Sequence, residues 1–166
     1  FSGSNVFSDV IDGVTITVLK DPADPLQPEV ETLAIALDRN GVAARIRAFV
    51  AAYNDVVSAI RDVSAYNADA GTAGALNGDA TVRSISSRLR TIIGAAGIGD
   101  GTPGSLAELG IQTQRDGTLK LDAAKLDAAL RDNFAGVGTL FTADDGVATR
   151  LEDMLGGLLD RGGILA

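Results

Sequence analysis

Between Val42 and Val63, apolar residues return every three or four positions: Val42, Ile46, Phe49, Val50, Tyr53, Val56, Val57, Ile60 and Val63. That period is one face of a long amphipathic helix, over roughly residues 40–66. Arg39, Arg45, Arg47, Asp55 and Arg61 fall mostly off the stripe, on the wet side. Asp38 or Asn40 can accept from the first orphan N–H groups and cap it. A helix of this length draws its stability from packing, so something must cover the stripe.

Further stripes supply candidates. Val82, Ile85, Leu89, Ile92 and Ile93 predict a helix over about 80–95, with Asp79 as its N-cap. Leu126 and Leu130 predict another over about 123–133, capped by Asp122. Val147, Leu151, Met154, Leu155, Leu158 and Leu159 predict a last one over about 144–160. Asp144 and Asp145 sit at its positive end and Arg161 just past its negative end, both favourable for the helix dipole. Gly156 and Gly157 weaken its final turn.

Two stretches read as β. Val14, Ile16 and Val18 alternate with their neighbours, as do Leu33, Ile35 and Leu37. Pro22, Pro25 and Pro28 lie between them and cannot donate to a ladder, so the connection is a stiff surface loop. The second stretch is Ile111–Leu121, a hairpin around Asp116-Gly117. A two-residue turn would set glutamines opposite leucines. A three-residue loop, Arg115-Asp116-Gly117, pairs Ile111 with Leu121 and Thr113 with Leu119 and gathers the apolar side chains on one face. It needs Gly117 at positive φ, which glycine adopts cheaply. The Gly-rich stretches near 67–78 and 94–104 read as loops. The fold class is therefore α+β and mainly helical: a bundle of long amphipathic helices with one hairpin at about 110–121, making a domain over 39–166. Residues 1–38 read as a strand-rich segment.

Composition narrows the chemistry. There is neither Cys nor His, which removes thiol nucleophiles, imidazole bases and most zinc and haem ligands. Acidic residues number 22 against 14 basic, a net charge of −8, so phosphate backbones and anionic membrane surfaces are repelled. Aromatics are only 4% of a chain that is 46% hydrophobic, so the core is aliphatic. No apolar run is long enough to span a bilayer. The start at Phe1 reads as the middle of a longer protein.

Local motifs favour structural roles. The glycines around Ile98-Gly99-Asp100-Gly101 lack the Lys-Ser/Thr of a phosphate cradle. Asp69 and Asp79 lack calcium-loop spacing. The adjacent carboxylates Asp144 and Asp145 fit a helix start better than acid–base work. Arg83, Arg88 and Arg90 read as a solvated helix face, and Tyr53 and Tyr66 as packing residues. No catalytic residue, cofactor or metal is expected.

Four segments in order resemble one family. They are SNVFSDVIDGVTITVL (residues 4–19), FVAAYNDVV (49–57), GALNGDATVRSISSRL (74–89) and LAELGIQTQRDGTLKLDAAKLDAAL (106–130). Together they resemble the C-terminal half of the bacterial flagellar filament cap family, hook-associated protein 2. The resemblance marks Gly13, Val14, Tyr53, Asn54, Gly74, Leu76, Gly78, Asp79, Arg83, Gly110, Gly117, Leu119 and Asp122 as signature positions with structural roles. It implies a non-enzymatic protein that leaves through the flagellar export apparatus and caps the filament tip outside the cell. It implies a homo-oligomeric ring that promotes flagellin insertion. Partners would be further copies of itself, flagellin, hook–filament junction proteins, an export chaperone and, in some members, host mucus glycoproteins. Residues 1–38 would then close the β domain inserted into the helical one. Alternatives are a flagellin-like or hook–filament junction protein, or an acidic extracellular adhesin module.

Overall fold

A computed structural model describes residues 6–11, 14–18, 36–67, 71–95 and 103–160. The chain divides into two compact units, Phe1–Ala36 and Leu37–Ala166.

In the first unit, β1 (Val6–Ile11) pairs antiparallel with β2 (Val14–Thr17). Val6 faces Thr17, Phe7 faces Ile16 and Ile11 faces Val14, with a register shift between Phe7 and Ile11. The described partner of β2 is thus the segment just before it. The proline-rich connection and residues 33–35 lie outside the described residues, and Ala36 and Leu37 are in no strand.

The second unit is mainly helical. α1 (Arg39–Ser64) is 26 residues, about 39 Å at 1.5 Å per residue. The Asp38 carboxylate accepts from Gly41 N–H at 2.8 Å and starts it. A two-residue ladder, β3 (Tyr66–Asn67) with β4 (Thr72–Ala73), turns the chain back. α2 (Ala80–Gly94) begins where Asp79 accepts from Val82 N–H at 3.0 Å.

The hairpin adopts the apolar-gathering register. β5 (Ile111–Thr113) and β6 (Leu119–Leu121) pair Ile111 with Leu121, Gln112 with Lys120 and Thr113 with Leu119. Gln114 N–H donates to Thr118 O at 2.7 Å, leaving Arg115-Asp116-Gly117 as the loop. Gly117 sits at φ +87°. Ile111 and Leu119 are buried while Gln112 and Lys120 face water.

Asp122 accepts from Ala124 and Lys125 N–H groups and starts α3 (Ala123–Asp132). Two corrections follow. A separate helix α4 (Phe134–Thr142) stands in a stretch to which the sequence reading assigns no element, capped by Asn133 on Gly136 N–H at 2.8 Å. The last helix, α5 (Val147–Leu159), starts three residues later than expected, with Gly146 at its N-cap. Asp144 and Asp145 lie in the turn before it, exposed.

The main helix contacts close a circuit: α1 touches α2 and α3, α3 touches α4, α4 touches α5, and α5 returns to α2. Strand β6 also packs on α1. Inside lie Leu109, Leu126, Leu130 and Val137, each at most 1% exposed. Leu106 and Leu109, which the sequence reading places in no element, reach this core from the turn before the hairpin. Phe49 and Phe141 meet edge to face at 5.6 Å. Val56 and Val63 of the α1 stripe stay 46% and 38% exposed, so its outer edge is not covered within the described residues. Among those residues no helix is long and apolar enough to cross a membrane.

Candidate functional site

The face of α1 that carries Asn54, Val57 and Arg61 repeats at three and four residues, so all three look the same way. That way lies the hairpin. Leu119 forms a non-hydrogen-bonded pair with Thr113, which turns its own N–H and C=O away from β5. The Asn54 amide satisfies both: its Nδ2 donates to Leu119 O at 2.9 Å, and its Oδ1 accepts from Leu119 N–H at 2.7 Å. The side chain thus substitutes for a third strand. Two turns on, Arg61 Nη2 donates to Asp116 O at 2.9 Å and lies 3.3 Å from its carboxylate. Bonds from the Thr118 hydroxyl and N–H, and then Arg61, hold the Asp116 carboxyl below the usual aspartate range.

The loop after α1 caps that helix. Gly74 N–H donates to Ala65 O, Leu76 N–H to Val63 O and Asn77 Nδ2 to Ser64 O, at 2.7 to 2.9 Å. These carbonyls have no partner inside the helix. Gly74 comes so close that a β-carbon would collide with the Val63 carbonyl. Asp79 then ends the loop by opening α2, so one short segment closes one helix and starts the next.

Between α1, α2 and the hairpin loop runs an open groove of about 440 Å³. Tyr53, Ile60, Val82 and Leu89 contribute its apolar lining, and Arg61, Arg83, Arg90 and Arg115 its charge. Its two carboxylates, Asp79 and Asp116, are engaged in the cap and turn bonds above. Tyr53 is 5% exposed, and burial pushes its hydroxyl above the usual tyrosine range, against a smaller opposite pull from Arg90.

Of the signature positions, Tyr53, Leu76, Gly78, Asp79, Arg83 and Gly117 line this groove. Asn54 and Leu119 are bonded beside it. Gly110 and Asp122 are joined elsewhere, where Asp122 N–H donates to Gly110 O at 2.9 Å. Val14 belongs to the first unit, and Gly13 lies outside the described residues, as do Asp69, residues 98–101 and Arg161. In sequence Arg61 and Arg90 read only as solvated helix-face residues, and Arg115 and Asp116 only as hairpin-loop residues; the structure brings all four to the groove. The available signal was Arg61 standing seven residues after Asn54 on the same helical face.

The arrangement can clamp, cap and present charge. Among the described residues no group of three His, Cys, Asp or Glu side chains could hold a metal, and no polar or charged residue is buried.

Residues 1–166 match the family described as the flagellar hook-associated protein 2 C-terminus. A Pseudomonas aeruginosa protein, the A-type flagellar hook-associated protein 2, is 39% identical over 99% of this chain and 34% of its own length. A Vibrio cholerae flagellar hook-associated protein 2 is 38% identical over 93% of this chain and 23% of its own. The crystal structure of the flagellar cap protein FliD from Escherichia coli superposes with a TM-score of 0.75 at 31% identity, covering 97% of this chain and 43% of that one. The chain spans about a third or less of the length of these curated relatives.

Proposed function

The chain belongs to the flagellar hook-associated protein 2 C-terminal family, and from that premise we propose that it is part of a protein that caps the distal end of the bacterial flagellar filament and promotes insertion of flagellin beneath the cap. The observation that carries the reading is the alignment of sequence and fold along nearly the whole chain with a flagellar cap protein. The geometry supports it physically. The clamp, the caps and the turns hold long helices rigid and leave an apolar edge and a charged groove outside, as a scaffold requires.

In this reading residues 39–166 belong to the helical domain, and residues 1–38 close a β-rich domain inserted between its two halves. The protein acts outside the cell at the filament tip, reached through the flagellar export apparatus. It assembles with further copies of itself on flagellin and the hook–filament junction proteins. An export chaperone and host mucus glycoproteins complete the proposed partners. It catalyses no covalent step: the work is steric and comes from protein–protein contact. The relatives described above carry the cap or hook-associated protein 2 name, and none that of a flagellin, a junction protein or an adhesin, so those alternatives are not carried further.

The test is complementation. The full-length gene in a cap-deficient strain restores filament growth and motility. Continued leakage of flagellin monomers into the medium, with the protein itself exported, would sink the reading.

A further inference from the structure

The groove between α1, α2 and the hairpin loop is a basic feature of an acidic chain. Arg61, Arg83, Arg90 and Arg115 line it in a protein of net charge −8. Arg61 is paired with Asp116, but among the described residues Arg83, Arg90 and Arg115 form no ion pair. All three are exposed. The groove lining is mixed, aliphatic with a guanidinium rim, which suits a segment that is itself part leucine and part carboxylate.

The same chain carries such a segment. On α5, Leu155 and Leu159 are 51% and 73% exposed, with Glu152, Asp153 and Asp160 exposed around them. Glu152, Leu155 and Leu159 follow at three and four residues and share one helix face. The inner side of α5 is anchored by buried Val147 and Leu158 and packs on α2. No residue of α5 lines the groove, so among the described residues the two surfaces do not meet each other.

We propose that the arginine-rimmed groove of one copy receives the acidic, leucine-bearing face of α5 from a second copy. The contact joins two different surfaces, so it is head-to-tail and propagates from copy to copy into a ring or an open helix. It rests on the self-assembling reading above and names the surface that performs it.

The experiment uses the full-length protein in sedimentation velocity at low salt. Reversal of the groove by Arg83→Glu with Arg90→Glu weakens self-association by at least about tenfold, because each charge then faces a like one. Glu152→Arg with Asp153→Arg does the same from the other side. All four changes together restore most of the lost association, while circular dichroism shows the same helix content throughout. In parallel, a copy carrying Arg90→Cys mixed with a copy carrying Leu159→Cys gives a disulfide-linked pair on oxidation. Reversals that leave the assembly unchanged, or a fourfold variant no better than the double ones, overturn the contact and leave the capping reading standing. Single-cysteine copies that never cross-link while rings still form do the same. A wild-type protein that stays monomeric at all concentrations overturns both.

Discussion

Asn54 carries more of the fold than its half-buried position suggests. Both atoms of its amide are used, and both partners belong to one strand residue 65 positions away. Asn54→Ala removes two hydrogen bonds and leaves the Leu119 N–H and C=O short of partners. At about 1 kcal/mol per bond, the expected loss is roughly 2 kcal/mol, seen as a lower urea midpoint at unchanged slope. Asn54→Asp keeps the acceptor but sets a carboxylate against the Leu119 carbonyl, so it rescues nothing. Tyr53 makes a second prediction, in pH. Its folded pKa is raised by burial, so the neutral form is favoured in the folded state. Its contribution is fully present below the ordinary tyrosine pKa near 10 and is lost as pH rises through the higher folded value. Wild-type stability therefore falls across that alkaline window, and Tyr53→Phe removes part of the fall. An equal alkaline loss in both proteins would show that the phenol is not responsible.

At the scale of elements, caps and turns set the boundaries. Asp79→Ala deletes the acceptor for Val82 N–H and is expected to cost about 1 kcal/mol. Gly74→Ala is worse, roughly 2 kcal/mol or more, because the added carbon meets backbone rather than a movable side chain. Thermal melts of the two variants should rank in that order. These same signals made much of the fold legible. Asp79 and Asp122 announced two helix starts, Asp38 or Asn40 a third, and the faces of Ile111, Leu119 and Leu121 fixed the hairpin register. α4 was not legible, because Gly136 and Gly138 lower its propensity and its apolar residues show no clean polar face. Missing α4 pulled the start of α5 forward onto Asp144 and Asp145. The pairing of Val6–Ile11 was hidden by Ser8 and Asp9, which break the alternation. The groove was invisible for another reason. Arg61 and Asp116 stand 55 residues apart, and no helical period reveals that a hairpin tip lands on a wet arginine.

Across the whole molecule, two sets of leucines look alike in sequence and should behave as opposites. Leu126 is fully buried at the centre of the helix circuit, whereas Leu155 and Leu159 point outward from α5. Leu126→Ala creates a cavity among neighbours that cannot fully collapse, so it is expected to cost about 2–5 kcal/mol. Unfolding should shift accordingly, while any copy that remains folded keeps the α5 face and still assembles. Leu155→Ser with Leu159→Ser removes side chains already in water. Folding stability should then move by less than about 0.5 kcal/mol per site. If the outer face of α5 is an assembly surface, the full-length double variant should nevertheless associate more weakly. Paired melts and sedimentation runs on the two proteins separate the roles. A strong loss of stability from the outer pair would show that those leucines are covered within a single copy, which places them in the fold and not between copies.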